Sequence, residues 1–105
     1  MTVQIPEPLK VLDSLYLNGY GNSLIDRALN KIIELEKVNT LKQALELQSK
    51  LQIYELQYQI SSDVFYLKFN DGSLGDEIAY FEWSVLYELW LSTQERLKVL
   101  QPKIE

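Results

Sequence analysis

Apolar residues recur at steps of three and four along most of this chain, the spacing that sets side chains on one face of an α-helix. Leu9, Leu12, Leu15 and Tyr16 predict a first helix running to about Asn18. Pro8 suits its first turn, where a missing N–H costs nothing, and Gly19 and Gly21 end it. Asn22 or Ser23 then caps a second helix whose apolar side is Leu24, Ile25, Ala28, Leu29, Ile32 and Ile33. "VNTLKQ" holds neither Gly nor Pro, so one long helix from about Ser23 to Gln59 is expected, with a bend near Asn39. The alternative is a stop there, because Thr40 and Gln43 have the spacing of a capping box. Leu41, Leu45, Leu51, Tyr54 and Tyr58 form a seam on the later part, suited to another helix. Ser61 or Ser62 caps a short helix through Phe69, "NDGSLG" is a turn, and Asp76 caps a last helix reaching about Leu100, before Pro102.

Only the start of the chain reads differently. "TVQIP" alternates Thr2, Val3, Gln4 and Ile5 ahead of Pro6, the period of a very short strand. A lone strand leaves its backbone unpaired, and nothing else in the chain looks like a strand, so a second copy is the expected mate. The expected fold is mainly α: a short N-terminal strand with two helices, a long central helix and a C-terminal helical hairpin. Residues 1–38 make the first region and residues 39–105 the second.

Composition narrows the chemistry. A chain of 105 residues has room for one domain, or a small domain with an appendage, and 47% hydrophobic with 24% charged residues is ordinary for a folded protein. The absence of cysteine excludes disulfides and thiolate catalysis, and the absence of histidine removes the commonest general base and transition-metal ligand. An enzyme is not expected, and neither is a cofactor or metal. The N-terminus has no signal-peptide pattern and no apolar run approaches the roughly 20 residues that span a bilayer, so a cytoplasmic protein without a membrane partner is expected. Charges balance over residues 1–50, which leaves the whole net charge of -5 on residues 51–105. Such asymmetry suggests two tasks, the acidic half suiting a basic partner.

The order of strand, helix, glycine turn and capped helix resembles the ribbon-helix-helix DNA-binding domains, carried by "TVQIP…PLKVLDSL…NGYGNSLIDRALNKII". That resemblance implies a homodimer, or a higher oligomer, whose paired strands enter the major groove of operator DNA. Val3 and Ile5 then face the core and Thr2 and Gln4 the bases, where Gln can pair bidentately with adenine. Asn22 and Ser23 offer backbone N–H groups to a phosphate, and Arg27 and Lys31 reach others. The strand departs from the family in carrying neither Arg nor Lys, and the glycine turn is about a residue short. The plainer alternative is a helical hairpin with an ordered N-terminal tail.

"SSDVFYLKFNDGSLGDEIAYFEWSVLYEL" is similar to a segment of small bacterial antitoxins of type II toxin–antitoxin modules, the TumA-like group. The shared pattern is Ser62, Phe65-Tyr66, Phe69, Gly72 with Leu74-Gly75-Asp76, then Glu82-Trp83 and Leu86-Tyr87. The resemblance implies a DNA-binding N-terminus acting as an autorepressor and a C-terminus that binds and neutralises a cognate toxin; the acidic residues of this half suit a basic, RNase-like one. The alternative is a self-associating helical interaction protein with no DNA-binding role.

The last helix carries apolar residues on more than one face. Ile78, Phe81, Val85 and Leu89 share one face, assigned to the chain's own long helix. Trp83, Tyr87 and Trp90 lie on another and, with Phe65 and Phe69, are the expected toxin-binding anchors, of the residue types enriched at binding hot spots. The competing reading is that these aromatics complete an intramolecular bundle. Glu82, between the two faces, is expected to pair with Arg96, Lys68 or a basic residue of the partner.

Overall fold

The computed structural model describes residues 3–101, and these form four helices. They are α1 (Glu7–Leu17), α2 (Ser23–Tyr58), α3 (Ser62–Asn70) and α4 (Ile78–Leu100). The chain divides into two compact units, Met1–Glu34 and Leu35–Glu105.

The expected N-terminal strand is absent: no strand occurs among the described residues, and Val3 to Pro6 are exposed and lie in no ladder. Thr2 lies outside the described residues. A strand needs a neighbouring edge for its N–H and C=O groups, and the described residues supply none. Pro6 adds a fixed extended conformation (φ -61°, ψ 146°) that leads directly into α1, and its carbonyl accepts the N–H of Leu9 at 3.1 Å. Val3–Pro6 are thus a lead-in to a helix, and the ribbon-helix-helix reading fails at its first element.

The helix punctuation follows local chemistry. Beyond α1, Gly19 takes a left-handed φ of +82°; its N–H reaches the Tyr16 carbonyl at 3.1 Å and that of Tyr20 reaches Leu15 at 2.8 Å, a Schellman ending. The same motif ends α3 at Gly72 (φ +80°), with Ser73 N–H on the Lys68 carbonyl at 3.2 Å. Asn22 caps α2, its Oδ1 accepting the Ile25 N–H at 3.0 Å. The helix then runs unbroken through Asn39, because the Thr40 hydroxyl turns back on the Glu36 carbonyl (2.8 Å) instead of capping a new helix. At the far end Gln59 adopts a left-handed φ of +55° without being glycine, aided by its own amide on the Leu56 carbonyl at 2.6 Å. The start of α4 is one residue later than expected, with Glu77 and not Asp76 at the cap position.

The core belongs to the Leu35–Glu105 unit. Trp83 (0% exposed), Phe65 (1%) and Leu51 (5%) form its centre, surrounded by Tyr54, Tyr58, Tyr80, Leu86 and Tyr87 among others. On α2 the inward residues are Thr40, Ala44, Leu47, Leu51, Tyr54 and Tyr58, alternating steps of four and three. The expected seam is right from Leu51 onward but wrong before it: Leu41 and Leu45 are exposed, and Thr40 and Ala44 lie inside. The inward stripe of α4 is Tyr80, Trp83, Tyr87 and Trp90, continued by buried Thr93. Ser84 and Thr93 hide their hydroxyls on the Phe81 and Trp90 carbonyls, both at 2.7 Å, so these buried oxygens cost little.

Two stability outcomes follow from these details. The buried Trp83 indole N–H donates to Ser62 Oγ, so Ser62→Ala leaves it unpaired and is expected to cost about 1–3 kcal/mol, read by urea unfolding followed on tryptophan fluorescence. Gln59→Gly relieves the left-handed strain and is expected to raise stability by up to about 1 kcal/mol in the same assay.

Candidate partner-binding face

Trp83 is the most deeply buried side chain of the C-terminal unit. Its indole lies flat on the Phe65 ring, centroids 3.7 Å apart and planes within 6°, while Tyr54 stacks nearly parallel at 5.4 Å. The indole N–H donates to Ser62 Oγ at 2.9 Å, and the Ser62 N–H in turn donates to the Glu55 carboxylate at 2.8 Å. Helices α2, α3 and α4 are pinned together at this point. A tryptophan so held cannot also be an anchor for another chain.

The five residues expected to bind a toxin are therefore brought together, but as core. Phe65 and Trp83 are buried, Phe69, Tyr87 and Trp90 are half-buried, and Phe69 and Tyr87 extend the cluster by ring contacts to Phe65 and Trp90. The physical reason is area. An aromatic ring removes about 150–250 Å² from water, more than an aliphatic side chain, so the face of α4 richest in rings wins the interior.

The opposite face of α4 is left in solvent. Ile78 is 76% exposed, Phe81 51%, Val85 54% and Leu89 50%. Steps of three, four and four align them in one row, and Phe81 is braced at its base by an edge contact with Phe69 at 5.3 Å. The row expected to pack on the chain's own long helix is thus the exposed one, and the aromatic stripe is the packed one.

Acidic residues flank the row. At about 100° per residue, Glu82 lies to one side of it and Glu88 to the other. The pair expected between Glu82 and Arg96 does not form: Arg96 binds Glu36 at 3.1 Å. Instead the Tyr54 hydroxyl donates to Glu82 at 3.0 Å and the Tyr66 hydroxyl to Glu88 at 2.6 Å. Each carboxylate is held by a tyrosine from a different helix, α2 for Glu82 and α3 for Glu88. The outcome is an apolar ridge with a fixed acidic margin, able to take a partner with an apolar centre and basic rim.

The expected DNA-binding residues have a different fate. Gln4 is exposed ahead of α1, and Asn22 spends its side chain on the cap of α2. Ser23 is the first residue of α2, with Arg27 and Lys31 exposed one turn apart farther along it. Neighbouring Asp26 accepts the Tyr16 hydroxyl, which tempers the positive charge there.

What the sequence reading missed was the pairing of Trp83 with Ser62. The available signal was chemical: a tryptophan N–H must find an acceptor when buried, and Ser62 lies within the quoted motif at the start of α3.

The tyrosines give the unit an alkaline limit. Burial, then the Glu82 hydrogen bond, raises the Tyr54 phenol above its ordinary 10.0, and the Glu88 hydrogen bond raises Tyr66. Burial also raises Tyr80 and Tyr87. A raised folded-state pKa means that the folded form holds the proton more tightly, so this stability is complete below the unfolded pKa of about 10 and is lost as pH climbs through the folded values. Unfolding by urea is expected to become easier above about pH 10, with phenolate absorbance and loss of helix rising together. Tyr54→Phe and Tyr66→Phe should reduce that dependence.

No helix among the described residues is long and apolar enough to cross a membrane. Comparison of the chain with protein-family models, curated proteins and solved structures yields no match.

Proposed function

We propose that this protein is an antitoxin-type masking module: it binds a basic cognate toxin and blocks it sterically, without catalysis of its own. The observation that carries the reading is the exposed row Ile78–Phe81–Val85–Leu89 between Glu82 and Glu88. Apolar burial supplies affinity and the acidic margin steers and orients a cationic surface. The resemblance of residues 55–90 to TumA-like antitoxins supports the same role, with one change: the contact surface is the aliphatic row with Phe81, not the aromatic stripe. Ser62, Phe65, Phe69 and Trp83 of the shared pattern serve to build the hairpin that displays it. Base readout by Gln4 rested on the missing strand and is not part of the proposal.

The test is co-expression with the neighbouring reading frame. The expected result is that this neighbour is harmful alone, harmless with the wild-type chain, and co-purifies with it. Phe81→Glu with Val85→Asp should abolish co-purification, a loss of about 100-fold or more in affinity, as for a truncated hot spot, while circular dichroism stays unchanged. A harmless neighbour, or a complex indifferent to that double change, sinks the reading. Trp83→Ala is the contrasting control, expected to unfold the C-terminal unit itself.

A further inference from the structure

The N-terminal unit lacks what the C-terminal one has. From Val3 to Glu34 no described residue is buried, and α1 contributes none to any core. Yet its apolar positions keep helical spacing, and Ile5 and Leu9 stand half exposed. An isolated helix shorter than about 12–15 residues is marginal in water, and α1 has 11. Units below about 40 residues usually need a disulfide, a metal or association, and this chain has no cysteine. The unit is an incomplete interior.

Its open side is a defined groove. Ile5, Leu9, Leu12, Tyr16 and Leu29 line it with apolar surface, and Lys10 and Asp13 are its two charged members. One end is preset rather than loose. The Tyr16 hydroxyl donates to Asp26, and its ring lies so close over Gly21 that a Cβ there would sit 2.5 Å from two ring carbons. Lys10 and Asp13 form no ion pair with one another or with any other described residue.

The charges select the occupant. A groove with one cation and one anion three residues apart is complementary to a copy of itself turned about a twofold axis, which presents each charge with its opposite, twice. A uniformly basic or acidic partner leaves one of the two facing a like charge. Over residues 3–34 the cations Lys10, Arg27 and Lys31 stand against Glu7, Asp13, Asp26 and Glu34, a net charge of only -1, so two copies meet with little repulsion. The acidic margin of α4 is unsuited to self-association by the same argument.

We propose that the α1 groove is a homodimer interface, occupied by the same groove of a second copy, with Lys10 facing the partner's Asp13 and the reciprocal pair completing the contact. No strand pairing is involved. The inference is independent of the masking role, because it concerns the chain alone and a different surface.

Sedimentation equilibrium of the full-length chain over a range of concentrations tests it. The wild type is expected to be a dimer, and Leu9→Glu a monomer that keeps the C-terminal tryptophan fluorescence. Lys10→Glu or Asp13→Lys alone should weaken the dimer about tenfold, since each makes two pairs repulsive, and the double exchange should restore it. Phe81→Glu should leave the dimer intact. A wild-type monomer, a dimer untouched by Leu9→Glu, a double exchange without rescue, or a dimer lost with Phe81→Glu each overturns the proposal.

Discussion

The contact between Trp83 and Phe65, closed by the hydrogen bond from the indole to Ser62, is the constraint on which the rest of the C-terminal unit depends. Tryptophan can be fully buried only where its N–H is satisfied, and the acceptor here belongs to the first turn of α3. That acceptor is itself fixed, because the Ser62 backbone N–H is bound by Glu55 of α2. The short connection between α2 and α3 therefore has little freedom. The left-handed Gln59 sits within this connection, and the strain it carries is borne by the contacts on either side.

From that one contact the display of α4 follows. Once Trp83 is inside, the helical period carries Tyr80, Tyr87 and Trp90 inward with it and turns Ile78, Phe81, Val85 and Leu89 outward. The tyrosines of the packed helices then reach the edges of α4 and hold Glu82 and Glu88 beside the outward row. Core and candidate binding face are two sides of one helix, set by one choice of phase. The candidate face is thus prearranged, and a prearranged surface has a lower ordering cost for binding.

The two units rely on different physics. One encloses aromatic rings and saturates its buried hydroxyls within the chain; the other has apolar residues at helical spacing and buries none of them fully. Hydrophobic surface without an interior is the ordinary mark of an interface, and the mixed charge of the α1 groove points to the chain's own copy as its complement.

Much of the fold was legible from local chemistry. Gly19 and Gly72 mark helix ends because they alone accept a left-handed φ cheaply, Asn22 marks a start because its side chain mimics a missing backbone acceptor, and the lack of Gly or Pro near Asn39 keeps α2 continuous. The strand at Val3–Pro6 was misread because alternation over so few residues carries no information about a pairing partner. The seam of α2 was misread because Leu41 and Leu45 are more apolar than Thr40 and Ala44, although the smaller pair lies inside. Most consequentially, the pattern showed that α4 has two apolar faces, but periodicity is symmetric with respect to inside and outside. Sequence alone therefore determined the helices, most of their ends and the acidic, histidine-free chemistry. Tertiary structure decided which face of α4 is core and which is surface, because that depends on ring area and on a hydrogen-bond acceptor 21 residues away along the chain.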